Sequence, residues 1–239
     1  MLKKIQMLLP AVFFVAAMLF TSVEAGAQFT SMPSNAPKFR VALQGGYAYR
    51  PVKLYETGNE VMDVHNKRLK SGLYYGADLS YYLSDAWGFG FRYSNMESSS
   101  KDAVIVTDKT TGESRSGMYT DIVDITFAGP TLSSRFVNWS GISIFYLSCG
   151  VGYLGYNDDG RVIDPGYVKG WTVGQCADFG YDCRLWHGLY LGASLSAVVG
   201  VLSNITVNQD GVTETQKLEK DEQESLLHVS LSIGIRYYL

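Results

Sequence analysis

The sequence predicts an all-β protein whose eight antiparallel strands close into an up-and-down transmembrane barrel. Three observations favour this fold: apolar and polar residues alternate in segment after segment, an export leader precedes them, and the connections are alternately short and long. A period of two indicates a strand with one apolar and one polar face. The mean hydropathy is zero, and no segment after the leader resembles a membrane helix. Because only helices and closed barrels satisfy their backbone in hydrocarbon, membrane strands must close on themselves.

The N-terminal residues have the three parts of a secretory signal peptide. Lys3 and Lys4 form a positive start, Met7 to Phe20 is an apolar run, and Ala25-Gly26-Ala27 is a small-residue cleavage site. We expect cleavage between Ala27 and Gln28 after export through the Sec pathway. A transmembrane anchor is the alternative, but a spanning helix needs ~20 apolar residues. The predicted organisation is a signal peptide at 1–27, a short N-terminal segment at 28–37 and a barrel domain at 38–239.

The last thirteen residues show the alternation most clearly. One parity is apolar, with Leu227, Val229, Leu231, Ile233, Ile235, Tyr237 and Leu239. The other is mostly polar, with His228, Ser230, Ser232, Gly234, Arg236 and Tyr238. This pattern predicts a strand with its apolar face toward lipid and its polar face toward a lumen.

The same pattern predicts seven earlier strands. They are Phe39–Pro51, Gly72–Leu83, Trp87–Met96, Met118–Leu132, Gly141–Tyr156, Gly170–Arg184 and Gly188–Leu202. In the fourth, we expect Val123, Ile125 and Phe127 to face lipid and Asp124 and Thr126 to face the lumen. The fifth is ambiguous, since two sets compete for its apolar face: Ile142 and Ile144, or Phe145, Leu147 and Val151.

The connections between the predicted strands differ in length. Short ones follow the second, fourth and sixth strands, and long polar ones follow the first, third, fifth and seventh. This asymmetry is typical of outer-membrane barrels, whose short turns are periplasmic. Trp87, Trp139 and Trp186 lie beside the short turns, which predicts a periplasmic aromatic girdle. A soluble β-sandwich is the alternative, but it would not need tryptophan at each of three turns.

Two long connections carry strand-like sequences of their own. Residues 103–107 precede the polar segment 108–113, and a second strand-like run follows it. Residues 205–208 and 212–215 flank Gln209-Asp210-Gly211, in which Asp-Gly is a turn signal. Both regions are predicted to be hairpins that continue beyond the bilayer as an extracellular sheet. Insertion of one hairpin into the bilayer would instead give ten strands.

The eight alternating segments resemble the small outer-membrane β-barrels of the OmpA/OmpX type, over nearly all of residues 38–239. The resemblance implies a Gram-negative outer membrane, contact with its lipid and lipopolysaccharide, and insertion by the barrel assembly machinery. That machinery recognises a terminal strand ending in an aromatic residue. Here Tyr237 and Tyr238 stand near the end and Leu239 is last, which departs from the pattern.

An eight-stranded barrel has an interior that side chains can fill. The inward parity predicts a structural charge cluster there, consisting of Arg40, Asp78, Arg92, Asp124, Asp178, Arg184, His228 and Arg236. If the turn after the second strand centres on Asp85, Asp78 faces Arg92 directly, and Asp124 flanks Arg92 from the next strand. We expect these charges to plug the lumen. A gated ion path is the alternative interpretation.

Several function classes are disfavoured. The formal charge is −3 and no basic patch is present, so a nucleic-acid partner is not expected. Cys149, Cys176 and Cys183 lack Cys-x-x-Cys spacing. His65 and His187 are predicted in a loop and a turn, far from any acid cluster with metal-ligand spacing, so neither a metal site nor a cofactor is expected. His228 and Ser230 resemble the His-x-Ser pair of lipid A deacylases. They face inward on the last strand, however, so no catalytic site is predicted.

The sequence therefore predicts a non-catalytic outer-membrane barrel with a structural or cell-surface interaction role. Hairpins near residues 97–118 and 203–225 are expected to bind an extracellular protein ligand by pairing with one of its strands. A narrow, porin-like pore for small or hydrophobic solutes is the first alternative. A lipid A-modifying enzyme is the second.

Overall fold

The structure is a computed structural model, and it describes residues 37–52, 60–107, 114–138, 142–161, 165–209, 212–219 and 223–239. The strands are β1 (Phe39–Tyr49), β2 (Ser71–Tyr82), β3 (Trp87–Thr107), β4 (Ser114–Val137), β5 (Ser143–Arg161), β6 (Pro165–Trp186), β7 (Leu189–Val199), β8 (Val201–Leu202), β9 (Asn204–Gln209), β10 (Val212–Lys217), β11 (Glu224–Ser225) and β12 (His228–Tyr238). Within these ranges the structure has one helix, α1, which spans Glu60–Arg68. None of the helical segments in the described ranges has the length and hydrophobicity of a membrane span.

Eight of these strands form a closed ring. Antiparallel ladders join β1 through β7 in order, β7 pairs with β12, and β12 pairs with β1. The predicted eight-stranded up-and-down barrel is therefore confirmed. The ten-stranded alternative is wrong, because β9 joins the sheet beside β6 and β10 pairs with β9, both outside the ring.

The period-two alternation puts apolar side chains on the outside of the barrel. On β12, Leu231 and Ile233 are 65% and 68% exposed, while their neighbours Ser230 and Ser232 are buried. The same holds for β1, β2, β3, β6 and β7, where the apolar parity also faces outward. On β5, Phe145 and Val151 face outward and Ile144 faces inward, which resolves the ambiguity of that strand. An apolar outer wall is the surface expected of a barrel in lipid and not of a sandwich.

The predicted orientation of β4 is wrong. Val123, Ile125 and Phe127 are buried in the lumen, so Asp124 and Thr126 lie on the outer face. The reason is that the upper lumen is filled by apolar side chains and not by charges. The cluster into which they pack includes Tyr74, Met96, Leu154, Leu202 and Leu226. Alternation therefore gave the periodicity of β4 correctly but not which parity faces inward.

The sheet continues beyond the ring at the end opposite the short turns. The β1–β2 and β2–β3 ladders end at Tyr49–Ser71 and Leu73–Glu97, whereas the β3–β4 ladder continues to Thr107–Ser114. The hairpin β9–β10 attaches to this extension through β6, from Gly170–Ile205 to Tyr167–Asn208. Strands β3, β4, β5, β6, β9 and β10 thus form a sheet above the barrel mouth, as the strand-like connections predicted. We refer to it as the upper sheet.

Candidate functional site

The lower lumen, nearest the short turns, is organised around the buried carboxylate of Asp182. Arg40 Nε lies 3.4 Å and Arg236 Nε 3.2 Å from its oxygens, and the Tyr238 hydroxyl donates a 2.7 Å hydrogen bond to it. All of these side chains are buried. A Cβ at Gly192 would overlap the Asp182 carboxylate, so the absence of a side chain there makes room for the cluster.

The middle of the lumen is organised around Arg92. Its guanidinium forms an ion pair with Asp178, lies 3.7 Å from Asp78, and donates to Ser196 Oγ at 3.1 Å. Asp78 and Arg92 are direct cross-strand partners, as the turn position predicted. Tyr74 also accepts a hydrogen bond from Arg92.

Polar side chains of β1, β7 and β12 form a third group beside Arg236. Arg236 donates to the Gly192 carbonyl at 2.6 Å and to Gln44 Oε1 at 3.1 Å, and Ser194 Oγ donates to Gln44 Oε1 at 2.8 Å. The lumen thus carries buried cations and anions that compensate one another. An uncompensated buried charge would cost several kcal/mol, which explains why the pairs occur together.

The short-turn end of the lumen is closed by Arg135. Its Nε donates to the Asp85 carbonyl at 2.8 Å and its Nη1 to the Pro37 carbonyl at 2.6 Å. The guanidinium stacks 3.8 Å above the centre of the Tyr82 ring. Arg135 therefore ties the chain segment before β1 to the turn between β2 and β3.

The structure brings together five residues of the predicted charge cluster and separates three. Arg40, Asp78, Arg92, Asp178 and Arg236 form the ion pairs described above. Asp124 faces outward, and Gly129, not Asp124, is the β4 partner of Arg92. Arg184 is exposed near the short turn after β6, where the ladder has a register shift. His228 is buried in the lumen, but its Nδ1 faces the Leu226 carbonyl at 3.1 Å.

The remaining predicted site residues lie at the chain start and at the short turns. Trp87 begins β3 and Trp186 ends β6, which places both at the short-turn end of the barrel. The Trp186 side chain is open to its surroundings, with 71% of its surface exposed. Trp139, Ala27 and Gln28 lie outside the described residues.

A histidine that the sequence analysis did not predict as a site residue joins helix α1 to the upper sheet. His65 is fully buried, with Nδ1 2.8 Å from Asp102 and Nε2 3.1 Å from Asp121. Its ring stacks on Tyr119 at 4.6 Å, and Arg68 bonds Asp102 at 2.9 Å. Each ring nitrogen therefore faces one carboxylate, Nδ1 that of Asp102 and Nε2 that of Asp121. The hydrogen bond from His65, with the charge of Arg68, holds the pKa of Asp102 below its usual value.

The prediction that His65 lies in a loop is therefore wrong, since His65 is part of α1. Asp102 and Asp121 are 37 and 56 residues away along the chain, and they reach His65 only because the long strands rise past the ring. Among the described residues, no group of three or more His, Cys, Asp or Glu side chains has a geometry that could hold a metal ion. We interpret the His65 cluster as the contact that fixes α1 over the β3 side of the upper sheet.

The two sides of the upper sheet end differently. On the β3 side, α1 packs against the strand through the His65–Asp102 contact. On the other side, the described residues give β10 one partner strand, β9, along its whole length. The side chains from Thr213 to Lys217 are exposed. Within this described part of the chain, the outer backbone groups of β10 therefore form an open edge.

The fold defines the class of protein. No family model matches the chain, and no curated protein matches it significantly. Among solved structures, a major outer membrane protein from Thermus thermophilus matches with a TM-score of 0.54 and 12% identity, over 86% of this chain and 100% of that chain. Neisserial surface protein A matches with a TM-score of 0.45 and 12% identity, over 86% and 100%. At such identity the likeness to the Thermus protein concerns the fold alone. The chain has the fold of the small bacterial outer-membrane β-barrels.

Proposed function

We propose that the chain is an integral outer-membrane protein, without catalytic activity, that anchors a recognition surface outside the cell. The apolar outer wall supports the membrane placement, because exposed residues such as Leu231, Ile233 and Leu195 need a non-aqueous neighbour. The outer membrane is the bilayer in which barrels of this fold reside. Insertion would proceed through the barrel assembly machinery after export by the Sec pathway.

The filled lumen supports an anchor and not a conduit. A solute crossing the barrel would meet Arg135 at the short-turn end, the Asp182 and Arg92 clusters above it, and then the apolar cluster around Phe127. Opening such a path would leave buried charges without partners, which is costly. A narrow pore is therefore not the function that we propose.

The observation that carries the recognition role is the open β10 edge. An exposed edge strand is a template for pairing with another chain, and natural proteins usually protect such edges. Here α1 covers the β3 side of the upper sheet, whereas within the described ranges no element covers the outer edge of β10. We infer that an extended segment of an extracellular protein adds to β10, with main-chain hydrogen bonds providing the affinity.

Proline substitutions on β10 test this proposal, because proline removes one backbone donor. In an antiparallel ladder, successive residues direct their N–H groups to opposite sides. Of Glu214→Pro and Thr215→Pro, one removes an outward donor and the other an inward donor to β9. Adhesion of bacteria displaying each variant to immobilised extracellular-matrix proteins and to epithelial cells is then measured.

We expect the variant that lacks the outward donor to lose adhesion while its β9–β10 ladder stays protected from hydrogen exchange. Glu214→Gln and Thr215→Ala are the matched controls and should adhere like the wild type. Equal adhesion of the wild type, both proline variants and cells lacking the protein would contradict the proposal.

A further inference from the structure

A groove of about 440 Å³ lies on the outer wall of the barrel, where the ring gives way to the upper sheet. Asp124, Asn157 and Lys169 are direct partners across β4, β5 and β6 and form its upper row. Gly155 and Trp171 are partners in the next row toward the short turns.

The groove combines aromatic faces with charges of both signs. Trp171, which is 66% exposed, and Tyr153 stack with ring centres 6.3 Å apart and planes 21° from parallel. A Cβ at Gly155 would overlap the Tyr153 ring, so the missing side chain lets that ring lie against the wall. Lys169 holds its ammonium 4.4 Å from the centre of the Tyr167 ring. Such a site offers an apolar face, a cation and acceptors to one ligand.

The side-chain oxygens of Asp124 and Asn157 at the groove can accept further hydrogen bonds. Asn95 donates to Asp124 Oδ1 at 3.3 Å and accepts from Thr126 at 3.3 Å, so the carboxylate is held while further lone pairs remain. Asn157 Oδ1 is buried and has no hydrogen-bond partner among the described residues. The Asn157 oxygen is therefore an acceptor that a donor group of a ligand can satisfy.

The position of the groove indicates which ligand supplies that donor. One row further toward the short turns, Val173 is exposed on the apolar outer wall, and Tyr153 is its ladder partner. A ligand in the groove can therefore continue as an apolar chain along the wall. Tryptophan and tyrosine gather at the level of lipid headgroups, and basic sites at this level bind anionic headgroups.

We propose that the groove binds the phosphorylated sugar headgroup of an outer-leaflet glycolipid. The sugar ring packs on Trp171 and Tyr153, and its hydroxyls donate to Asp124 and to the orphan oxygen of Asn157. The phosphate accepts from Lys169, and the acyl chains run over Val173. The inference rests on the membrane placement proposed above but not on recognition at β10.

Binding is tested with the full barrel in detergent micelles, titrated with lipid A and followed by native mass spectrometry. Phosphatidylglycerol, which is anionic but has no sugar, and glucose 1-phosphate, which has no acyl chain, are the comparison probes. We expect one lipid A per barrel and binding of each comparison probe at least about tenfold weaker. Comparable binding of phosphatidylglycerol, or of glucose 1-phosphate alone, would overturn the proposal.

Substitutions locate the site. Lys169→Gln and Trp171→Ala should each weaken lipid A binding by about tenfold, the loss expected for one strong contact. Lys101→Gln, an exposed lysine on β3 away from the groove, should bind like the wild type. Heat-modifiable gel migration shows whether each variant folds. If Trp171→Ala does not fold, Lys169→Gln still tests the proposal.

Unchanged lipid A affinity in Lys169→Gln would overturn the proposal. This failure is distinguishable from failure of the proposed function. If lipid A does not bind but adhesion through β10 is intact, only the groove proposal is wrong. If the protein stays dissolved without detergent, both the groove proposal and the proposed membrane function are wrong.

Discussion

Arg92 of β3 and Asp178 of β6 form an ion pair across the lumen, although their strands are not neighbours in the ring. The pair connects opposite walls of the barrel, and Asp78 and Ser196 attach it to two further strands. The barrel interior is therefore held by contacts between distant strands as well as by the ladders.

Breaking the Arg92–Asp178 pair should destabilise the barrel strongly. Arg92→Met leaves Asp178 buried without its main partner, so we expect a loss of about 3–5 kcal/mol in the free energy of unfolding. Urea unfolding in lipid vesicles measures it. The double variant Arg92→Met/Asp178→Leu should lose less than the sum of the two single losses, because it leaves no orphan of the pair. Strict additivity would show that the two side chains do not interact.

Gly192→Ala should disrupt the lower lumen. The added Cβ would overlap the Asp182 carboxylate beside Arg236, and overpacking of this kind costs about 1–3 kcal/mol. Gly45→Ala is the matched control on the same barrel, since a Cβ there meets only the Tyr74 carbonyl oxygen at 3.7 Å. Equal unfolding free energies of the two variants would contradict the lower cluster as described.

The pH dependence of stability should reveal Asp158, which lies in the upper sheet. Burial and the nearby carboxylate of Asp121 raise the pKa of Asp158 from 3.8 to about 6. The folded state therefore holds this proton more tightly than the unfolded chain. The contribution of Asp158 to the free energy of unfolding should accordingly fall as the pH rises from about 4 to about 6, and stay low above it.

Asp158→Asn removes this titration. The variant should be more stable than the wild type at pH 8, on the order of 1 kcal/mol because the site is partly solvated, and about equal to it at pH 4. Glu97→Gln, at an exposed carboxylate, is the control. A wild-type advantage at pH 8 would contradict the assignment.

Removal of the His65 side chain should release helix α1. His65→Ala deletes the ring that contacts both Asp102 and Asp121, so neither carboxylate keeps a contact with α1 through this residue. We expect hydrogen exchange across Glu60–Arg68 to accelerate by tenfold or more, corresponding to about 1.4 kcal/mol, while the ring strands remain protected. Asn66→Ala, on the next residue of α1, is the control. Unchanged exchange in His65→Ala would show that other contacts hold the helix.

The fold could be predicted from the sequence because apolar residues alternate with polar ones wherever one face of a strand contacts lipid and the other faces a polar lumen. β12 and β7 have one apolar parity along their whole length, so both their existence and their orientation followed. The cross-strand pair Asp78–Arg92 also followed, since a short turn determines the register of the two strands it joins.

The errors have physical causes. Val123, Ile125 and Phe127 look like a lipid-facing set, but the upper lumen is itself apolar, and period alone cannot distinguish two apolar environments. The His65 cluster depends on long strands that bring distant residues together, and no local pattern marks it. Asp124 was assigned to the lumen because the orientation of β4 was predicted the wrong way round. Its side chain lies instead on the outer face, where it lines the groove.

The conductance of the reconstituted protein tests the central claim, a barrel sealed by its own side chains, most directly. In planar bilayers the wild type should insert without discrete current steps. Arg92→Ala/Asp178→Ala, which empties the middle of the lumen, should be the variant in which steps arise. Steady, ohmic single-channel conductance of the wild type would contradict the account.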